Sequence, residues 1–173
     1  ALTLAAKQGH LAVVQYLVSK GADIRVKNKY KDNAFTIAAA NGHLELVKWL
    51  LKKGLDIETV DKFGNNALIQ SAKMGHLNVV KFLKNKKIDI KDVNYKGINA
   101  LIRASQKGHI EIVKYLVAHG VDIHHRDKNQ RTALMWAAIA GKFTVVKYLV
   151  ENGAKVKITD NDNINVLMFA AYN

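Results

Sequence analysis

The chain contains no cysteine, no proline and no long apolar segment. Without cysteine, a disulfide framework, a thiolate metal site and a cysteine nucleophile are all excluded. The apolar runs are far shorter than the roughly 18 residues that a membrane-spanning helix needs. Hydrophobic residues make up 49% of the 173 residues and charged residues 24%, which predicts a folded domain rather than a disordered chain. The net charge of +13 favours acidic partners without identifying one.

A repeat of 33 residues organises the sequence. A Gly-His pair begins at residues 9, 42, 75 and 108, and a Gly-Lys pair takes its place at residue 141. A second series with the same step comprises Gly21, Gly54, Lys87, Gly120 and Gly153. Such regular self-similarity predicts stacked supersecondary units, none of which can bury its apolar face alone.

The segment 127–159 shows how one unit is expected to fold. Thr132 is a candidate N-cap of a first helix, and Gly141 ends that helix because glycine readily adopts the left-handed conformation of a helix stop. Apolar residues spaced three and four apart, from Phe143 to Val150, predict a second helix with one buried stripe. Gly153 ends the second helix, and the polar stretch after it is too short for a third. The predicted unit is helix, turn, helix and hairpin loop.

The repeat resembles the ankyrin repeat along the whole chain. The stretches TALMWAA at 132–138, GHLELVKWLL at 42–51 and KGADI at 20–24 carry the resemblance. It implies an all-α ankyrin-repeat solenoid, elongated and slightly curved, with stacked helix-turn-helix units and hairpin loops projecting on one side. The family's Thr-Pro at the helix start is replaced at residues 33, 66 and 99 by Asn-Ala. Asparagine caps a helix as well as threonine and alanine is a strong helix former, so the missing prolines are accounted for.

The resemblance divides the chain into one ankyrin repeat domain, residues 1–173. We expect a partial repeat at 1–27, full repeats at 28–60, 61–93, 94–126 and 127–159, and a partial repeat at 160–173. The sequence starts and stops inside a unit, so we expect it to be part of a longer protein. The third unit is irregular because Lys84 replaces an apolar residue that we expect to face the core, and Lys87 replaces glycine. A local distortion is therefore predicted around Lys84–Ile88.

No arrangement of residues predicts catalysis. The Gly-His histidines occupy equivalent places on successive repeats and do not converge at ligand distance; the resemblance implies a structural role for them. His119, His124 and His125 lie closer together, but no carboxylate or cysteine is arranged beside them for a zinc site. The glycines are single and periodic, unlike a phosphate-binding loop. We therefore expect no enzyme activity, no cofactor and no metal.

Two further series recur with the repeat step. Asn28, Asp61, Asn94, Asp127 and Asp160 are predicted to brace the hairpin turns. An aromatic residue occupies the same place in each second helix, where we favour a structural ladder and keep a binding stripe as the alternative; these residues are Tyr16, Trp49, Phe82, Tyr115 and Tyr148. The lysines just before four of these aromatics are expected to be solvated.

The expected binding face is basic and carries aromatic side chains. In ankyrin proteins the hairpin tips and the exposed side of the first helices, on the concave face, usually contact the partner, and the equivalent positions here combine lysine, arginine and aromatic residues, the types enriched at interface hot spots. The candidate partner-binding residues are Lys29, Tyr30, Lys62, Phe63, Lys73, Met74, Tyr95, Lys96, Arg103, Lys107, Lys128, Arg131 and Trp136.

The function expected from these features is a non-catalytic, monomeric interaction scaffold that binds an acidic or mixed-surface protein. One alternative is binding of a polyanion, such as a nucleic acid, a nucleotide or an anionic lipid surface, because lysines next to Tyr30, Phe63 and Tyr95 could neutralise phosphates while the rings stack on bases. Another is a substrate-recruiting module of a larger enzyme or of a host-targeting effector. An intracellular location is expected, in the cytoplasm or in the host cytosol for an effector, since the composition lacks cysteine.

Overall fold

A computed structural model describes residues 1–171, which form eleven α-helices and two isolated β-bridges, Val93–Asn99 and Thr159–Asn165. Short first helices alternate with longer second helices, as the repeat predicts. The first helices are α1 (Leu2–Lys7), α3 (Ala34–Ala40), α5 (Ala67–Met74), α7 (Ala100–Lys107), α9 (Ala133–Ile139) and α11 (Val166–Ala171). The second helices are α2 (Leu11–Ser19), α4 (Leu44–Lys52), α6 (Leu77–Asn85), α8 (Ile110–Ala118) and α10 (Phe143–Glu151). The all-α fold class is confirmed for these residues.

Side-chain caps fix the start of each first helix from α3 onward. The side chains of Asn33, Asn66, Asn99 and Thr132 accept hydrogen bonds from backbone N–H groups of the first turn. Asn165 accepts in the same way from the N–H of Met168, at 3.1 Å. These bonds satisfy donors that have no partner inside the helix, so the predicted caps are confirmed.

The Gly-His histidines connect one repeat to the one before it. With the proton on Nε2, His43 donates to the carbonyl of Lys7 at 2.9 Å, and His76 donates to that of Ala40 at 3.1 Å. The imidazole rings lie so close to the preceding turn that a Cβ added to Gly9 or Gly42 would collide with them. This is the structural role that the resemblance implies.

The prediction of a distortion around Lys84–Ile88 is wrong for helix α6, which keeps its regular length. Helix α6 spans nine residues, like its counterparts α2, α4, α8 and α10. Lys84 is half-buried, as is Leu51 at the equivalent position, so this position does not lie in the core and a lysine fits there. The third unit differs from the others at Lys87, where a lysine instead of a glycine adopts a left-handed backbone conformation, with a φ of +67°.

Contacts between helices divide the chain into two compact units, with the boundary after Ile88. In the first unit α3 packs against α1 and α5, and in the second α9 packs against α7 and α11. Each second helix packs against the first helix of its own repeat, and within the units α4 also contacts α6 and α8 contacts α10. The first helices are built largely of alanine and other small or aliphatic residues, which lets them pack closely; Phe35, Leu68, Leu101 and Leu134 are almost completely buried.

Among the helices of residues 1–171, none combines the length and the apolar character needed to cross a membrane.

Candidate interaction surface

Each hairpin turn is held by the side chain of its first residue. The Oδ1 atom of Asp61 accepts from the N–H groups of Phe63 (2.8 Å) and Asn65 (2.9 Å). The same pair of bonds recurs at the four equivalent residues, which are Asn28, Asn94, Asp127 and Asp160. The predicted bracing of the turns is therefore confirmed, and it leaves the side chains at the hairpin tips (29–30, 62–63, 95–96 and 128–129) out of the turn's own hydrogen bonding.

A cluster of cations and aromatic rings forms at the tips of the first unit. The N–H of Lys62 donates to the carbonyl of Tyr30 at 2.8 Å, which brings the two tips together. The ammonium of Lys62 then lies 4.3 Å from the ring centroid of Tyr30 and 4.9 Å from that of Phe63. Lys29 lies 5.1 Å from the Tyr30 ring. We call Lys29, Tyr30, Lys62 and Phe63 the tip cluster; its contacts are cation–π interactions that orient exposed rings.

The rings of the tips are exposed, as their position in turns predicts. Phe63 is 54% exposed, Tyr95 60% and Tyr30 42%. Large hydrophobic side chains seldom remain this accessible in groups unless a partner covers them. Of the candidates on the first helix α5, Met74 is exposed and Lys73 is half-buried.

A cleft in the first unit lies between the tips and the first helices. Its volume is about 390 Å³, and its lining includes Tyr30, Asp32, Ile37 and Gln70. Burial and the neighbouring Asp61 carboxylate raise the pKa of Asp32 above its usual value, although Thr36 and Asn28 oppose the shift by hydrogen bonding. The first unit therefore has a carboxylate beside its aromatic tips.

A second cleft lies between α7 and α9. The N–H of Lys128 donates to the carbonyl of Lys96 at 3.0 Å, which sets the two tips side by side at one rim. The cavity has a volume of about 390 Å³ and is lined by Lys96, Ile98, Arg103, Asp127, Lys128, Asn129 and Trp136. We call it the α7–α9 cleft, and four of the candidate residues meet in it.

Arg131 makes several contacts within the chain. Its Nε donates to Asp160 at 2.8 Å, its Nη2 lies 3.7 Å from Asp162, and its guanidinium lies 5.1 Å from the ring centroid of Phe169. Burial raises the pKa of Asp160, but the hydrogen bonds from Arg131 and from two backbone N–H groups outweigh it, so the pKa lies below its usual value. Lys107, by contrast, is exposed at the end of α7.

Two features of this surface were not anticipated from the sequence. The indole Nε1–H of Trp136 donates to Asp127 at 2.8 Å, and the amide of Gln70 donates to Asp61 at 2.7 Å. Both pairs join the turn-bracing carboxylate to the first helix nine residues later. The two pairs occupy equivalent positions two repeats apart, so an alignment of the repeats would have placed Gln70 and Trp136 in the same column, nine residues after an aspartate.

A groove between the second helices of the first unit was also missed. It has a volume of about 600 Å³ between α4 and α6, with Leu51, Ile57 and Phe82 in its walls and Lys48, Lys52 and Lys86 around them. In the aromatic series of the second helices, Tyr16 is 63% exposed and the other four members are half-buried.

The histidines outside the Gly-His series have separate partners. His119 contacts the Tyr115 ring at a centroid distance of 4.0 Å, and His125 bonds the carbonyl of Gly97 at 2.7 Å. Within residues 1–171, no three His, Asp or Glu side chains are placed to hold a metal ion.

Comparison with known families agrees with this architecture. A profile described as ankyrin repeats (3 copies) matches residues 2–94, 35–127 and 101–173. The chain therefore belongs to the ankyrin repeat family, whose members generally mediate protein–protein interaction and are typically non-catalytic. No curated protein matches the sequence significantly.

Proposed function

We propose that this chain is a non-catalytic scaffold that binds an acidic or mixed-surface protein through its hairpin tips and the adjoining first helices. The observation that carries the proposal is the tip cluster, in which exposed rings are already oriented by cations. A preformed surface of this kind loses little side-chain entropy on binding. Aromatic residues and arginine are also the side chains on which interface affinity most often depends.

The charges of the two units favour a protein over a continuous polyanion. The α7–α9 cleft is lined by three cations and one carboxylate, whereas the cleft of the first unit contains Asp32 and lies near Asp61. A nucleic acid presents one negative charge per nucleotide, and binding it usually requires a groove of one sign. A folded protein can instead present acidic and basic groups in the matching places.

The proposal is tested by affinity capture from cell lysate with two variants of matched composition. The first replaces Tyr30, Phe63, Tyr95 and Arg103 with alanine. The control replaces Tyr16, Tyr148, Phe143 and Lys147, which are likewise three aromatic residues and one cation, on the second helices α2 and α10. Circular dichroism first establishes that both variants keep their helices.

We expect a discrete protein to be captured by the unmutated chain and by the control, and its affinity for the first variant to fall by about tenfold or more. Equal capture by the two variants would contradict the assignment of the binding face. Loss of all captured material after nuclease treatment, together with a steep dependence on salt, would instead favour a nucleic acid.

A further inference from the structure

A groove between α4 and α6 combines apolar walls with lysine side chains, and none of its lining residues belongs to the tip cluster. Its volume of about 600 Å³ lies within the range of roughly 300–1,000 Å³ that ligand pockets occupy. We propose that this α4–α6 groove is a second docking surface, which binds an acidic segment of a protein partner through one large apolar side chain flanked by carboxylates. The inference goes beyond the proposed function, because it gives the scaffold a second surface in addition to its hairpin tips.

The walls of the groove can hold a large apolar side chain. Leu51 near the end of α4, Ile57 in the loop after it and Phe82 on α6 supply the apolar surface. Each of the three residues is half-buried, so part of each side chain remains accessible. An apolar anchor that covers this surface removes it from water, and anchors of this kind carry much of the affinity of protein interfaces.

The lysines around these walls are not balanced by anions of the chain. Lys48 pairs with Glu45 at 2.6 Å, but neither Lys52 nor Lys86 forms a salt bridge within residues 1–171. Both are exposed, and the ammonium of Lys86 lies 5.7 Å from the ring centroid of Phe82. In the same part of the chain, none of the residues that line the groove is acidic. Carboxylates beside the apolar anchor therefore meet two lysines that have no salt-bridge partner, and this charge complementarity favours an acidic segment.

The repeat shows that these two lysines are not needed for helix packing. The apolar wall positions recur at the equivalent place between α8 and α10, as Val117, Ile123 and Tyr148. The positions of Lys52 and Lys86, however, hold Ala118 and Asn152 there. Helices α8 and α10 still contact each other, as α4 and α6 do. The two lysines therefore distinguish the α4–α6 groove from its counterpart without being required by the fold.

A protein segment matches this surface better than a nucleic acid does. Single-stranded nucleic acids bind where aromatic rings stack on successive bases along a basic groove that follows the phosphates. The α4–α6 groove has one ring, that of Phe82, beside the aliphatic side chains of Leu51 and Ile57. A protein segment supplies an apolar side chain and carboxylates within a few residues of one another, which is the combination that these walls and lysines require.

The test is an NMR titration of the ¹⁵N-labelled chain with the capped peptide Glu-Glu-Leu-Glu-Glu. Two matched peptides separate the contributions, because Gln-Gln-Leu-Gln-Gln has no charge and Glu-Glu-Ser-Glu-Glu has no apolar anchor. The signals that report on the groove are the backbone amides of Leu51, Ile57 and Phe82. The control signals, at the equivalent positions of the same sample, are the backbone amides of Val117, Ile123 and Tyr148.

We expect saturable shifts of the groove signals with the acidic leucine peptide, little shift of the control signals, and weaker binding of both matched peptides. The double variant Lys52→Ala, Lys86→Asn takes the residues found at these positions on and after the helices α8 and α10, so we expect it to fold. It should raise the dissociation constant by about threefold or more, because two exposed ion pairs with the peptide are lost. The double variant Lys155→Ala, Lys157→Asn, which removes two exposed lysines after α10, is the control of equal charge and should leave binding unchanged.

Three results would each overturn the proposal: absence of saturable shifts, equal binding of either matched peptide, or binding that survives the Lys52→Ala, Lys86→Asn change. The same titration with dodecanoate and with a short oligothymidylate tests the other anionic ligands. Tighter saturable binding of either one at the groove amides would also overturn the proposal, in favour of a lipid or of a nucleic acid.

Failure of the groove and failure of the proposed function are separable, because the peptide titration needs no natural partner. Capture of a protein that depends on Tyr30 and Phe63, combined with no response of the groove amides to the peptides, would leave the scaffold in place and remove only the second surface. A saturable response of the groove without any capture that depends on the tips would have the opposite meaning.

Discussion

Replacement of Lys87 by glycine should stabilise the first unit. Lys87 has a φ of +67°, whereas the equivalent positions hold Gly21 at +90° and Gly54 at +82°. The left-handed conformation costs a non-glycine residue roughly 1–2 kcal/mol because its Cβ approaches the following carbonyl. Glycine avoids that cost but loses about 0.5–1 kcal/mol more backbone entropy on folding. The difference predicts a gain of about 0.5–1 kcal/mol in the free energy of unfolding.

The measurement is urea unfolding followed by circular dichroism, together with a thermal melt. For a chain of this length the expected gain raises Tm by about 1–4 °C. The slope of the urea transition should stay constant, since the surface exposed on unfolding does not change. Lys87→Ala is the control for removal of the side-chain charge, because alanine keeps the backbone strain while losing the ammonium.

Gly54→Lys supplies the reverse test at the equivalent position. No atom lies within 4 Å of a Cβ added at Gly54, so any loss of stability there comes from the backbone conformation and not from a collision. We expect a loss of similar size to the gain at Lys87. Unchanged or reduced stability of Lys87→Gly, or a tolerated Gly54→Lys, would refute the reasoning from backbone strain.

Four further substitutions test polar groups that are buried or partly buried. Ser105→Ala should stabilise the chain by about 1 kcal/mol in urea unfolding, because within residues 1–171 its buried hydroxyl has no hydrogen-bond partner; Ser71→Ala, which removes a bond to a helix carbonyl, should destabilise it. Asp32→Asn should raise Tm at pH 7. Because the pKa of Asp32 is raised in the folded chain, its ionised carboxylate destabilises the fold as pH rises. The Tm difference between the variant and the unmutated chain should therefore disappear below about pH 4. Arg131→Gln should lower Tm at pH 7, since the lowered pKa of Asp160 contributes stability that is lost as pH falls, and this difference should narrow in acid. For each of these two variants, a Tm difference from the unmutated chain that stays constant from pH 7 into acid would contradict the prediction.

The elements that depend on local sequence could be predicted. Each N-cap and each turn-bracing Asn or Asp acts on backbone groups within four residues, so the residue type and its place in the repeat determine the bond. The exposure of Tyr30 and Phe63 follows from their position in a turn for the same reason.

The contacts between side chains of different repeats could not be predicted in the same way. The engagement of Arg131 by Asp160 joins residues 29 apart, and the cation–π contacts of Lys62 depend on how two tips pack. Lys84 was misjudged because apolar residues at its equivalents suggested burial, although the position is only half-buried. Periodicity indicates which residues are equivalent, but it does not give the depth at which a helix face lies.

The separation of turn bracing from tip side chains has an evolutionary consequence. Asn28 and Asp61 hold their turns by accepting from the backbone N–H groups of the residues that follow, so these bonds do not depend on which side chains those residues carry. Tip residues can therefore be exchanged, by mutation or by grafting, while the bonds that hold the turn are kept. A lineage that carries this architecture can change its tip residues while the bonds that hold the turns stay the same, and a designer can treat positions 29–30 and 62–63 as sites for a binding library.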